Sequence, residues 1–443
     1  MAVGLFVLSI ALLIVMITKF RIHAFISLIT VALLLGLVSG IRPVEVAAIV
    51  SGGFGGIMSY IGIVIICGII IGEVLEVTGG TQKIADSILQ VVGVKRAPMA
   101  TTLTGAVVSI PVFCDSGFVI LNPIIKAISK FGKIPYMTLV IALMGGLLVT
   151  HSFVPPTPGP IAAAGILGAD LGKVMIYGII VTIPVVIGLV LWANSGFIRR
   201  RFPDIATTSE AEERQAQEFK EVVQRAPSTF KSYMPIVVPI ILIVVASVSR
   251  QFIDQQGVAA DVINFIGTPF VALLLGTAIA FTLPEKVNGT VTETWVSNAM
   301  KKGSEILLIT AAAGAFGKML QAVEVGDVLA EMLTSAGLPM IVVPFMIASL
   351  VLIAQGSATV ALTTTAAIVA PILDSIGLSP EMAVLSIAAG SFTGVQANGS
   401  YFWCVSKLAG FDLRQSYIAV TLSTFVMGAV AFVSVLVLSM FIR

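Results

Sequence analysis

Two ionisable residues stand in stretches that are otherwise apolar: Asp115 in "PVFCDSG" and His151 in "THSFVPPTPGP". A charge at bilayer depth costs at least about 2.5–3.5 kcal/mol on insertion scales, and histidine is the side chain that ordinarily titrates between pH 5 and 8. The pair is therefore suited to carrying a proton. Each also has a purely structural reading, Asp115 as a helix cap and His151 as a hydrogen-bonded brace. Nearby motifs hold short oxygen and amide side chains: Ser116, Asn122, Thr157, Gln355, Ser357, Thr359, Asn398 and Ser400, with Gly159 between two prolines. None of these motifs holds Lys or Arg. An anion held there would rest on backbone amides and hydroxyls, which fits a small, oxygen-rich organic anion.

The elements that position these residues follow from composition. The chain has 443 residues, 57% hydrophobic and 11% charged, with a mean hydropathy of +1.07. That is too little charge to cover a soluble surface of this size, so the class is an all-α polytopic membrane protein. A net charge of +2 gives no reason to expect a nucleic-acid partner. Cys67, Cys114 and Cys404 have no metal-ligand spacing, so neither a metal nor another cofactor is expected.

A span needs about 20 apolar residues. Crossings are expected near 3–18, 22–40, 57–76, 136–169, 174–197, 232–249, 264–282, 304–322, 381–409 and 417–440. Two of them, 136–169 and 381–409, are interrupted by Pro, Gly, Asn or His and read as broken helices. Two apolar blocks with polar tips, 97–130 and 339–374, read as re-entrant hairpins. With both termini outside, twenty of the 25 Lys and Arg fall on one face, and only Arg42, Lys173, Arg250, Lys318 and Arg443 on the other. That bias marks the crowded face as cytoplasmic.

The charged stretch 199–231 reads as a cytoplasmic linker between an N-terminal repeat, 1–198, and a C-terminal one, 232–443. "ALLLG" occurs in both, and "GEVLEV…KIADSIL" resembles "GKMLQA…VLAEML". Five crossings per half, an odd number, invert the second copy. Inverted repeats with broken helices are a common transporter design, with the site at the repeat interface.

Irregular backbone at membrane depth is tolerated only beside protein or a water-filled cavity. Four prolines within 155–160 therefore predict a helix ending near Thr150 and another starting near Gly159–Pro160. Further helix starts are expected near Ser116, at Ser357–Thr359 and near Ser400. Helix N-termini carry free amides and about half a positive charge, so four of them would cradle a carboxylate. "SGGFGG", 51–56, lacks the Lys-Ser/Thr of a phosphate loop and reads as a flexible loop or a close helix contact. Glu73 and Glu76 read as solvated, Lys318 as snorkelling and His23 as interfacial.

On "PVFCDSGFVILNP", "HSFVPPTPGP", "GSATVALTTTAAIVAP" and "GSYFW" the chain resembles the gluconate permease family, proton-coupled symporters of sugar and hydroxy acids. The family is similar to the wider ion transporter superfamily. The resemblance implies an elevator-type mechanism, with hairpins and broken helices moving against a dimeric scaffold, in a bacterial inner membrane. Import of gluconate or a related anion by proton symport is the leading expectation. Sodium coupling on the same fold is the alternative. An intramembrane hydrolase is remote, since no G-x-S-x-G nucleophile motif is present.

Overall fold

A computed structural model describes residues 2–93, 96–206, 210–252, 257–323, 339–373 and 377–442. Lys95 and Arg443 of the charge pattern, segment 328–333 of the second repeat copy, linker residues 207–209 and residue 374 of the second hairpin lie outside them. Among the described residues the fold is helical with no strand.

The first half runs α1 (Ala2–Thr18), α2 (Ala24–Val38), α3 (Pro43–Val77), α4 (Gly80–Val92), α5 (Ala97–Val108), α6 (Cys114–Gly132), α7 (Tyr136–Phe153), α8 (Pro158–Leu167) and α9 (Leu171–Ala193). The connecting stretch holds α10 (Gly196–Arg201) and α11 (Glu210–Arg225). The second half runs α12 (Thr229–Phe252), α13 (Val258–Ile266), α14 (Pro269–Ala280), a π turn (Thr290–Trp295) into α15 (Val296–Ala322), α16 (Val342–Gln355) and α17 (Ala358–Val369). It ends with α18 (Pro380–Gly390), α19 (Ser400–Ala409), α20 (Leu413–Ser416) and a π turn (Tyr417–Leu422) into α21 (Ser423–Ser439). Five helical stretches are long and apolar enough to cross a membrane, and two bent pairs bring the number to seven.

Two large apolar clusters organise the packing. The smaller joins α1, α2 and the start of α3 to α15 through residues such as Leu28, Val50, Ala312 and Phe316. The larger surrounds α7, every residue of which is buried, and includes both helix–turn–helix hairpins and both broken helices.

Several boundaries differ from the sequence reading. The first broken helix runs to Phe153 rather than Thr150, and its second part starts at Pro158 rather than Gly159. Val154, the residue before Pro155, is extended at φ −115°, ψ 111°. A proline disfavours the α conformation in the residue preceding it, so the helix persists until that residue and stops there. Pro158 then takes the first helical position, where its missing N–H leaves no bond unmade. The crossing expected at 264–282 is a pair of helices bent by 63°.

The glycine run 51–56 is not a loop but part of α3. A Cβ on Gly53 would lie 2.8 Å from both Ala315 Cα and Gly314 O, so the glycine lets α3 and α15 touch at their backbones. Glu73 is not solvated. It is buried at 6% exposure and bonded to Lys302 Nζ at 2.6 Å, while Lys302 also reaches Glu76 at 3.3 Å. This ion pair crosses from α3 to α15 and ties the two halves. The connecting stretch is docked rather than free. Asp204 O accepts from the Tyr136 N–H at 2.9 Å, Ala206 N–H donates to Ser129 Oγ at 3.0 Å, and Lys83 Nζ donates to Val223 O at 3.2 Å.

Candidate functional site

A cavity of about 340 Å³ lies between the two clusters, within the usual range of small-molecule sites, about 300–1,000 Å³. One wall is α15, which contributes Glu305, Ile306, Ile309 and Thr310. The facing wall is made by three helix starts and the end of α7. Phe113, Cys114 and Asp115 open α6, Gly356 to Val360 open α17, and Ser400 and Tyr401 open α19. Leu148 and His151 come from the last turns of α7.

Each start has a local cause. At α16, Gly356 ends the helix in the left-handed region at φ +79°, and Ser357 caps α17 by accepting the Val360 N–H at 3.4 Å. The cap satisfies one of the orphan amides of the first turn. At α6 and α19 the caps are Phe113 and Gly399, with no side-chain cap bond. Asp115 is therefore a first-turn residue and not the cap. The fourth start, at Pro158, faces a separate space of only about 10 Å³ beside Pro156 and Thr157.

Of the residues singled out from sequence, Asp115, His151, Ser357, Thr359 and Ser400 line the cavity. The remaining six do not. Asn122 donates to Leu408 O at 3.1 Å and accepts from Tyr136 Oη at 2.6 Å, bracing α6 against the end of α19. Thr157 caps α8, and its Oγ1 donates to Val154 O at 2.7 Å. Gly159 packs on Leu362, whose Cδ1 would lie 2.6 Å from an added Cβ. Asn398 Nδ2 donates to Ile353 O at 2.8 Å, and Gln355 Oε1 is buried without a partner among the described residues. Ser116 is half-buried on α6, outside the lining.

His151 is 6% exposed, and its Nδ1 is buried with no partner among the described residues. A proton on that nitrogen would have no protein acceptor. Asp115 is tied in place from the other half, where Cys404 Sγ donates to its backbone oxygen at 3.8 Å. Tyr401, also in the lining, donates to Met144 O at 2.9 Å and fixes α19 against α7. Tyr401 lies in "GSYFW" but was not among the residues singled out from sequence. Glu305 was also missed, although it is the one acid in the expected crossing 304–322, and an acid in a crossing is itself a signal of function. The lining holds two carboxylates, one imidazole and no Lys or Arg.

The tip of the second hairpin is sensitive to a single methyl group. A Cβ on Gly356 would lie 2.7 Å from the carbonyl carbon and oxygen of Asn398 and from Gly399 N, none of which can move alone. The left-handed backbone adds about 1–2 kcal/mol for any other residue. Gly356→Ala is expected to lower stability by about 2 kcal/mol or more, read as a lower Tm. A Tm unchanged from wild type would show that the tip is not packed this way.

The fold and its apolar spans define an integral membrane protein. Its architecture matches that of MtrF from Neisseria gonorrhoeae, described as one of a class of antimetabolite efflux pumps. The two superpose with a TM-score of 0.70 at 13% identity, over 95% of this chain and 96% of that one.

The chain belongs to the GntP family of permeases, whose model matches residues 1–441. It is 35% identical to an uncharacterized permease of Haemophilus influenzae, over 98% of this chain and 91% of the relative. The inner membrane permease YgbN of Escherichia coli is 32% identical, over 96% and 95%. A gluconate permease of Pseudomonas aeruginosa is 30% identical, over 97% and 95%. The protein is thus a permease and not an enzyme.

Proposed function

We propose that the protein carries gluconate or a related sugar or hydroxy acid across the bacterial inner membrane by proton symport. The carrying observation is the charge inventory of the cavity. Three helix N-termini supply partial positive charge, yet the lining holds Asp115 and Glu305 and no Lys or Arg. A carboxylate entering beside an ionised Asp115 would meet a like charge in a low-dielectric space. A proton on Asp115 removes that repulsion and turns the side chain into a donor. Binding of anion and proton would then be linked, which is the requirement for symport. His151 is the second proton candidate, with Ser357, Thr359 and Ser400 as hydroxyl partners for the cargo. Thr157, Gly159 and Asn398 act in this reading by shaping the two breaks and the hairpin tip, and Asn122 by bracing α6 against α19; Ser116 and Gln355 lie outside the lining.

An elevator goes with this reading, in which hairpins 97–130 and 339–374 and broken helices 136–169 and 381–409 move against α1–α3 and the α12–α15 region. In this reading the halves 1–198 and 232–443 are inverted repeats, 199–231 is cytoplasmic, both termini are outside, and two copies pair through the scaffold. The name of the Pseudomonas relative supports gluconate as cargo, and that of the Escherichia relative supports the inner membrane.

The test is uptake of labelled D-gluconate into proteoliposomes under an imposed pH gradient. Accumulation should appear with the gradient and collapse with a protonophore. Accumulation that follows sodium and ignores pH would replace the proton with sodium, held by the same hydroxyl and carbonyl oxygens.

A further inference from the structure

We infer that Glu305 makes the cavity selective for monocarboxylates over dicarboxylates, by presenting a fixed negative charge to the end of the cargo that lies away from the helix N-termini. The inference rests on the cavity being the cargo site.

The geometry has two parts. All three helix N-termini belong to one wall, around Cys114, Ala358 and Ser400. A carboxylate is drawn to that wall. The facing wall, α15, places a single charged side chain in the lining, Glu305. Its side chain is 69% exposed, so it stands at the mouth and stays hydrated. A cargo with its carboxylate on the first wall directs its hydroxylated tail towards the second. Hydroxyls donate to a carboxylate, whereas a second carboxylate is repelled by it.

The Glu305 carboxylate is held in position from α2. His23 Nδ1 accepts the Phe25 N–H at 3.3 Å as the cap of α2. With Nδ1 accepting, the ring proton sits on Nε2, which lies 3.2 Å from Glu305 Oε1 and donates to it. His23 thus orients the carboxylate from α2. Lys301 stands one turn earlier on α15, and Lys302 is engaged by Glu73 and Glu76. The other titratable groups of the lining, Cys114, Asp115, His151 and Tyr401, are on the facing wall.

D-Gluconate and D-glucarate provide the test, because glucarate differs in having a second carboxylate at the far end of the same carbon chain. Competition of each unlabelled acid against labelled gluconate is measured for wild type, Glu305→Gln and Glu305→Lys. Wild type should favour gluconate. Glu305→Gln should narrow the preference about tenfold, chiefly through tighter glucarate binding, and Glu305→Lys should reverse it. His23→Gln should leave the preference in place, since it keeps the Glu305 charge. Unchanged discrimination in both Glu305 variants, with gluconate uptake intact, overturns the Glu305 assignment alone. If neither acid binds or is carried by wild type, the gluconate reading fails and the assignment fails with it.

Discussion

Asp115→Asn should abolish the accumulation of gluconate driven by a pH gradient while leaving the folded protein intact. A gradient of one pH unit stores about 1.4 kcal/mol, which supports about tenfold accumulation at one proton per anion. Asparagine keeps the shape and hydrogen-bonding capacity of protonated aspartate but cannot release the proton. The variant should still exchange labelled for unlabelled gluconate, with the internal to external ratio falling to about one. Exchange and accumulation are measured on the same liposomes, and thermal melting reports folding. Retained accumulation in the asparagine variant would move the proton site elsewhere, with His151 next to be replaced. The distinction matters because both residues line the cavity, but only Asp115 stands in the first turn of one of its helix starts.

Gly72→Val should cost transport as severely, by a route that involves no titration. Gly72 lies on α3 against the turn of the first hairpin, and a Cβ there would sit 2.0 Å from Pro111 O. One turn earlier, a Cβ on Gly68 would sit 3.0 Å from Pro156 O in the first break. These two glycines let α3 approach the backbones of the two elements that carry Asp115 and His151. Pro111 is four residues from Asp115, so a valine at 72 must displace the hairpin tip or bend α3. Overpacking of this kind costs about 1–3 kcal/mol. Uptake should fall at least about tenfold, since about 1.4 kcal/mol of distortion in the productive state is enough. Gly55 supplies the control on the same helix, with no atom within 4 Å of an added Cβ. Gly55→Ala should melt at or slightly above the wild-type temperature and transport normally. Equal loss in both variants would mean that α3 responds to bulk anywhere along its length.

Much of the site was legible because helix starts leave a chemical signature. Ser357 and Ser400 were identifiable as starts from the polar, glycine-bearing interruptions of the apolar segments around them, and α17 and α19 begin there. The break at 154–157 was legible as four prolines, but its edges were displaced by up to three residues. A proline acts through the residue before it, so the boundary belongs to Val154 and not to the polar Thr150. Asn122, Thr157 and Asn398 had suitable chemistry, yet each is engaged with a backbone oxygen or a tyrosine outside the cavity, and those partners are distant or turn-specific. Glu73 shows the same limit. Its partner Lys302 is 229 positions away, and only the packing of α3 on α15 brings them together. The glycine run 51–56 was ambiguous for a related reason: its helical state depends on the α15 backbone that it touches.

The strap between the halves has a mechanical consequence. Through Asp204, Ala206 and Val223 it is fastened to the foot of the first hairpin, to the start of α7 and to α4. In the proposed elevator, a stroke that carries the hairpin would tow this charged segment or peel it away. On that proposal, a molecule that gripped the strap would brake the movement without ever entering the chamber.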